Sequence, residues 1–221
     1  MGKSAVIIGD GQFPQKEYPK YLIKSADYIV CCDGALGKFL RNSRKIFGET
    51  KAPDAVIGDM DSLQASLKAS YSGLIVSVPE QETNDQTKAF NYVVDNFRDV
   101  SEIHFIGATG LREDHTIGNI SLLMEYARER DLDAMGISID MVSDYSTIFP
   151  VTDTIELQCG KGRRISIISP DNSLRISSSG LVWPTDNVIF DNWWKATLNK
   201  AEKDTVTLTF NHKSIAIVIL N

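Results

Sequence analysis

Ala55-Val56-Ile57-Gly58-Asp59-Met60-Asp61-Ser62 is the stretch on which the reading of this chain turns. Its first three residues form a short apolar run, the pattern of a strand buried on both faces. Two carboxylates follow, two positions apart. So close together past a strand end, like charges raise one another's pKa unless a cation lies between them. Oxygen donors of this kind suit a hard cation such as Mg²⁺, usually held through one or two carboxylates plus substrate phosphates. The competing reading is a solvated acidic turn. The other strand ends decide between the two.

Similar apolar runs recur on both sides of this stretch. Ala5-Val6-Ile7-Ile8 ends in Gly9-Asp10-Gly11, and Tyr28-Ile29-Val30-Cys31-Cys32 ends in Asp33-Gly34-Ala35. A helix is expected from there through Leu36, Phe39 and Leu40. Leu74-Ile75-Val76 stops before Pro79, Ile103-His104-Phe105-Ile106 stops at Gly107, and residues 137–142 form a sixth run. Residues 84–97 predict an amphipathic helix with Asn84 as N-cap and Ala89, Val93 and Phe97 at a four-residue spacing. A second helix is expected over about residues 114–130, with Ile117, Ile120, Met124 and Ala127 on one face.

Strands alternating with helices predict βαβ units and a three-layer α/β/α domain with a mostly parallel sheet. Ligands of such sheets bind outside the carboxyl ends of the strands. Here those ends carry Asp10, Asp33, Asp59 with Asp61, the segment 81–88 and the segment 107–115. Acidic and glycine-rich residues at nearly every strand end point to a phosphate site with a metal.

Beyond residue 145 the helical period disappears. Short strand-like runs replace it at 155–157, 164–168, 174–176, 205–210 and 214–220, with turn residues between them. This predicts a C-terminal antiparallel β-sandwich, and a division into residues 1–143 and 144–221. A unit of about 75 residues is close to the size at which a core is marginal alone, so support from the first domain or another subunit is expected.

The net charge of −6 argues against general affinity for nucleic acid or acidic membrane surfaces. Three cysteines without a CxxC spacing predict neither a zinc site nor a disulfide framework. The N-terminus lacks a signal-peptide apolar core, and no run reaches transmembrane length. A cytoplasmic protein is expected.

Two further segments have chemical potential. Gly107-Ala108-Thr109-Gly110-Leu111-Arg112-Glu113-Asp114-His115 joins a strand to a helix, where backbone N–H groups bind anions well. Arg112 adds a planar fork suited to phosphate. It is not a Walker A loop, and a plain strand–helix turn is the competing reading. Gln81-Glu82-Thr83-Asn84-Asp85-Gln86-Thr87-Lys88 opens the amphipathic helix. There Asp85 either complements the macrodipole or serves the site. Lys88 and His115 likewise have ordinary surface and helix-start readings. Trp183, Trp193 and Trp194 are candidates for sandwich core.

Taken in order, Asp33-Gly34-Ala35, Gly58-Asp59-Met60-Asp61-Ser62 and the segments 81–88 and 107–115 resemble the motifs of the thiamine pyrophosphokinase family. Gly180-Leu181-Val182-Trp183-Pro184 is similar to that family's Gly-Leu-x-Trp/Tyr segment, and Asp204-Thr205-Val206-Thr207 resembles its closing strand. The resemblance implies an α/β catalytic domain, a C-terminal β-sandwich and a homodimer. It implies Mg²⁺-dependent transfer of pyrophosphate from ATP to the hydroxyl of thiamine, releasing AMP. It places Asp59, Asp61 and Asp85 at the metal and Asp33 beside the reacting hydroxyl. Gln81, Lys88 and Arg112, with Thr87 and His115, would meet ATP phosphates. Trp183, with Thr197 and Asn199, would meet thiamine at a subunit interface. The chain departs from the family pattern at Asn84, Leu111 and Leu198, where Thr, Gly and Ser are usual.

Two rival readings start from the same residues. Asp59-Met60-Asp61 also looks like the nucleophile loop of haloacid-dehalogenase-type phosphatases, with Asp59 attacking phosphorus. That motif usually follows the first strand and ends in Thr or Val, whereas here it follows the third strand and ends in Ser62. The second rival is a non-catalytic nucleotide-binding module.

Overall fold

A computed structural model describes residues 2–221. The chain forms two compact units: residues up to Leu122 with Leu132–Asp144, and Leu123–Asp131 with Tyr145–Asn221.

The first unit contains β1 (Lys3–Ile8), α1 (Glu17–Ser25), β2 (Tyr28–Cys32), α2 (Ala35–Phe47), β3 (Ala55–Gly58) and α3 (Ala65–Ser70). It continues with β4 (Ile75–Ser77), α4 (Asp85–Asn96), β5 (Val100–Ile106), the first turns of α5 (Glu113–Glu129), α6 (Leu132–Met135) and β6 (Ser138–Val142). Its strands lie in the order β6-β5-β1-β2-β3-β4. Every pairing among them is parallel. Because both sheet faces are covered, the strands read as apolar runs and not as alternating ones.

One face packs Val6, Ile8, Ile29, Cys31 and Val56 against Leu22 and Ile23 of α1 and Leu36, Phe39 and Ile46 of α2. The alternate strand residues face the other way. There α4 lies against β1, β2 and β3, with Phe90 6.2 Å from Phe105 between ring centroids. Asn84 caps α4 as expected, its side chain accepting from the Thr87 N–H at 3.0 Å.

Strands two, three and four run outward on one side of β1, whereas β5 lies on its other side. The chain therefore reverses direction across the sheet between β1 and β5, the point at which doubly wound sheets open a crevice. Register pairs Ile8 with Ile106, which brings Gly9 beside Gly107. A Cβ on either glycine would come within 2.8 Å of the other's carbonyl oxygen, so this approach requires glycine on both sides.

The second unit contains β7 (Thr147–Val151), β8 (Ile155–Gln158), β9 (Arg164–Ile168), β10 (Ile176–Ser179), β11 (Ala196–Lys200), β12 (Thr205–Phe210) and β13 (Ala216–Leu220). Its strands form an antiparallel set β11-β9-β13-β7 and an antiparallel sheet β10-β12-β8. Ile165, Ile167 and Val218 from the first set and Ile176, Val206 and Leu208 from the second share one buried core. The fold class is thus the expected one.

Five elements escape the sequence patterns: α3 and α6 are too short for a periodic signal, and α1, β7 and β11 are disguised. α1 has Pro19 at its third residue. Proline is tolerated in a first turn, where its missing N–H has no intrahelical partner anyway. β7 includes Pro150, which argues against a strand by sequence. β11 is irregular between Ala196 and Asn199, and its Leu198 has φ 61°.

Candidate functional site

The parallel register assembles the acidic residues. Cys32 pairs with Ile57, so Asp33 follows β2 beside Gly58 at the end of β3. The Asp33 N–H donates to the Ile57 carbonyl at 2.8 Å, and its Oδ2 accepts from the Ser62 N–H at 2.9 Å. Gly58 lies against two of these carboxylate residues: a Cβ there would be 2.8 Å from Asp33 Cβ and 3.0 Å from Asp85 Oδ1. Three separate motifs therefore meet around one glycine.

Asp59 closes a tight turn. Its Oδ1 accepts from the Asp61 N–H at 3.0 Å and its Oδ2 from Gln81 Nε2 at 2.9 Å. Between the two acids Met60 takes φ 71°, an uncommon conformation for a side-chain-bearing residue, with its side chain buried in the core. Burial of Met60 holds the strained turn, which presents Asp59 and Asp61 at the surface. Lys88, buried on α4, places Nζ 3.7 Å from Asp85 Oδ1. Thr87, one residue earlier, is buried too.

The charges perturb one another. Burial pushes the Asp33 carboxyl above its usual range; the Ser62 N–H opposes this, and Asp59, Asp61 and Asp10 add to it. Burial also raises Asp85, opposed by Lys88 and reinforced by Asp33 and Asp59. Asp59 is held below the usual range by its bonds from Gln81 and the Asp61 N–H. Asp33 Oδ1 is buried without a hydrogen-bond partner. An orphaned buried carboxylate oxygen in an all-oxygen cluster fits a hard cation. Among the described residues, no three His, Cys, Asp or Glu side chains are grouped closely enough to hold an ion by themselves.

A stability consequence follows for the metal-free chain. A carboxyl whose folded-state pKa is raised favours the native state below its unfolded pKa, and loses that contribution as pH rises through the folded value. Asp33→Asn removes the buried charge. In chelator at pH 7 we expect it to melt above the parent chain, on the scale of roughly 2–4 °C per kcal/mol. The gap should close as the pH falls towards about 4. A lower melting temperature, or a gap independent of pH, would contradict this.

The loop after β5 packs on the loop after β1. Gly11 N–H donates to the Gly107 carbonyl at 2.6 Å and Gln12 N–H to the Thr109 carbonyl at 2.8 Å. Leu111 takes φ 71°, a conformation natural to glycine, so the backbone here keeps a glycine's shape at a Leu position. Arg112 is exposed, and its guanidinium grips Asp114 at two points, Nε to Oδ1 at 3.1 Å and a second bond to Oδ2. This contact holds Asp114 below the usual carboxylate range. His115 starts the helix in solvent, its N–H donating to Asp114 Oδ1 at 2.9 Å.

Sequence reasoning missed two participants and placed a third only loosely. Lys38 of α2 donates to the Gly11 carbonyl at 3.0 Å and pairs with Asp10 Oδ1 at 2.7 Å, fixing the loop after β1. Asn119 of α5 bridges the start of α4 to the loop after β5. Asp10 was visible only as a strand-end acid. Its Oδ2 comes within 3.0 Å of where a Cβ on Gly34 would lie, next to Asp33.

In the second unit the three tryptophans are not core: Trp183, Trp193 and Trp194 are 59%, 49% and 66% exposed. Phe190 and the aliphatic residues fill the interior instead. Trp183 lines a cavity of about 260 Å³ with Thr185, Lys195, Thr197, Leu198 and Asn199. Buried Asn199 grips the Trp183 backbone, donating Nδ2 to its carbonyl at 2.7 Å and accepting its N–H at 3.3 Å. Thr197 donates Oγ1 to the Trp194 carbonyl at 2.8 Å.

Comparison with known proteins accords with this architecture. Residues 19–135 match the family described as thiamin pyrophosphokinase, catalytic domain, and residues 147–217 match thiamin pyrophosphokinase, substrate-binding domain. Thiamine pyrophosphokinase 1 of Oryza sativa subsp. japonica is 30% identical over 93% of this chain and 83% of the relative. The thiamine pyrophosphokinase structure from Bacillus subtilis matches with a TM-score of 0.76 at 19% identity, over 99% of both chains. That from yeast matches at 0.75 and 17% identity, over 100% of this chain and 87% of the other. The structural matches establish the shared fold, and the two family matches together with the rice relative establish the kinship: the chain belongs to the thiamin pyrophosphokinase family.

Proposed function

We propose that this chain is a thiamine diphosphokinase, transferring the pyrophosphoryl group of ATP to the hydroxyl of thiamine. The observation that supports the assignment of residues most strongly is the meeting of Asp33, Asp85 and the Asp59-Met60-Asp61 turn around Gly58. In the reaction the thiamine hydroxyl oxygen attacks the β-phosphorus of ATP. The bond from that phosphorus to the α–β bridging oxygen breaks, AMP leaves with this oxygen, and the hydroxyl proton is lost. Such transfers depend mainly on positioning and charge neutralisation.

Asp59, Asp61 and Asp85 are the residues to hold Mg²⁺, which when bound would neutralise charge on the transferring group. Lys88, next to Asp85, and the exposed Gln81, bonded to Asp59, are assigned to the polyphosphate, as are Thr87 and His115. Asp33, raised by burial and its neighbours, is assigned to the thiamine hydroxyl. Arg112 is assigned to phosphate, which then competes with Asp114 for its fork. Arg112→Lys keeps the charge but loses two-point binding. We expect about a tenfold loss in kcat/KM for ATP, the scale of one charge-assisted hydrogen bond. Unchanged kinetics would return Arg112 to a purely local pairing with Asp114.

Trp183 is assigned to thiamine, whose cationic thiazolium an indole face attracts by ~0.5–2 kcal/mol. Thr197 lines the same cavity, and Asn199 fixes the Trp183 backbone. At about 260 Å³ the cavity falls below the ~300–1,000 Å³ of a complete small-molecule site. The rest of the thiamine site is assigned to a second subunit of a homodimer, as the family resemblance implies. Cys31 and Cys32 are buried free thiols and Cys159 is also unpaired, which fits the reducing cytoplasm. No helix among the described residues is long and apolar enough to cross a membrane. Nothing in the fold or the comparisons favours the phosphatase reading.

Chromatography of a reaction containing ATP, Mg²⁺ and thiamine tests the proposal. AMP and thiamine diphosphate should appear in equal amounts, and AMP formation without thiamine dependence would overturn it.

A further inference from the structure

We propose that Asn119 is a positioning residue that locks the metal-side helix to the phosphate-side loop, so that the two halves of the nucleotide site act as one. Its side chain spans them. Asn119 Nδ2 donates to the Ala108 carbonyl at 2.8 Å, and Asn119 Oδ1 accepts from Asn84 Nδ2 at 3.1 Å. Its own backbone carbonyl accepts from Gln86 Nε2 at 3.2 Å. Asn84 and Gln86 bracket Asp85 at the start of α4, and Lys88 follows within the first turn.

Each end of the bridge fixes something chemical. On the loop side, the Gly107 and Thr109 carbonyls already accept from Gly11 and Gln12. Asn119 supplies the donor for the carbonyl between them. A peptide unit is planar, with N–H and C=O pointing opposite ways. Holding three consecutive carbonyls therefore sets the direction of the Ala108, Thr109 and Gly110 amides; the Gly110 N–H donates to Thr116 Oγ1 at 3.1 Å, and the other two are the ones assigned to an anion at this turn. On the helix side, Asn84 uses Oδ1 for the cap and Nδ2 for the bridge. The departure from threonine at position 84 gives an amide that serves both. Among the described residues buried Gln86 leaves Oε1 without a partner, while its Nε2 is anchored on the Asn119 carbonyl.

The proposal rests on the nucleotide site described above, and its test separates the two. Binding of the non-hydrolysable ATP analogue adenylyl imidodiphosphate with Mg²⁺ is measured by titration calorimetry. Steady-state KM values for ATP and for thiamine are measured in parallel. Asn119→Ala removes both side-chain bonds and should weaken analogue binding and raise KM for ATP about tenfold, leaving KM for thiamine within about twofold. Asn119→Asp keeps the acceptor for Asn84 but sets an oxygen against the Ala108 carbonyl, and should be no better than Asn119→Ala.

Asn84→Ser provides a milder probe if Asn119→Ala folds poorly. Serine still caps α4 but cannot reach across, so about a threefold loss confined to the nucleotide is expected, with the melting temperature nearly unchanged. Equal losses for both substrates, tracking a fall in melting temperature, would reduce Asn119 to a structural tie. Unchanged nucleotide binding in Asn84→Ser and Asn119→Ala would overturn the proposal alone. A parent chain that binds no adenine nucleotide would overturn the functional reading and the proposal with it.

Discussion

Asp59→Asn and Asp61→Asn each reduce turnover by more than ~100-fold with the fold intact, on the account developed above. The argument begins with the Asp59-Met60-Asp61 turn. Met60 is held in a left-handed conformation by burial, which keeps both carboxylates at the strand end. Bonds from Gln81 and the Asp61 N–H hold Asp59 below the usual carboxylate range, and a cation bound there would neutralise charge on the transferring group. An asparagine at 59 can still accept the Asp61 N–H, and Gln81 can turn its amide to suit. Asp61 is exposed, where substitutions usually change stability by less than ~0.5 kcal/mol. Melting temperatures should therefore stay close to the parent's while activity collapses. Near-normal turnover in either variant would sink the metal assignment.

The second large effect concerns Trp183. At 59% exposure it has little core to lose, so Trp183→Ala should leave the melting temperature almost unchanged. Loss of a cation–π contact worth ~0.5–2 kcal/mol predicts roughly 2- to 30-fold weaker thiamine binding, with ATP binding unaffected. If the indole reaches substrate across a subunit interface, mixing should restore function. An inactive Asp59→Asn chain and a Trp183→Ala chain would form heterodimers, in which one site combines an intact Asp59 with an intact Trp183. Exchange of subunits is first shown with differently tagged chains. Exchange without recovered activity would refute the shared site, and a large fall in melting temperature for Trp183→Ala would mean that the indole stabilises the unit after all.

The parallel sheet was legible because its strands are buried on both faces and its loops are short. Apolar runs ending in Asp10, Asp33, Asp59 or Gly107 leave little choice of fold. The same residues made the acidic cluster readable, since all lie at carboxyl ends of strands. What escaped has no local signature. Pro19 and Pro150 disguised a helix and a strand, and the left-handed Leu198 broke the alternation of β11. The core reading of Trp193 and Trp194 failed because a large indole reads as core whatever its exposure. Asn119 and Lys38 act through contacts 35 and 27 residues away in sequence, made by a neutral amide and by an ordinary helix lysine. Periodicity and charge pattern are blind to both.

The central claim is that a pyrophosphoryl unit moves whole from ATP to thiamine. Parallel reactions with ATP labelled at the β-phosphorus and at the γ-phosphorus, with Mg²⁺ and thiamine, test it most directly. The account predicts equal incorporation of both labels into the thiamine product, one AMP per product, and loss of all three signals in chelator. Transfer of the γ label alone, with ADP as co-product, would contradict it.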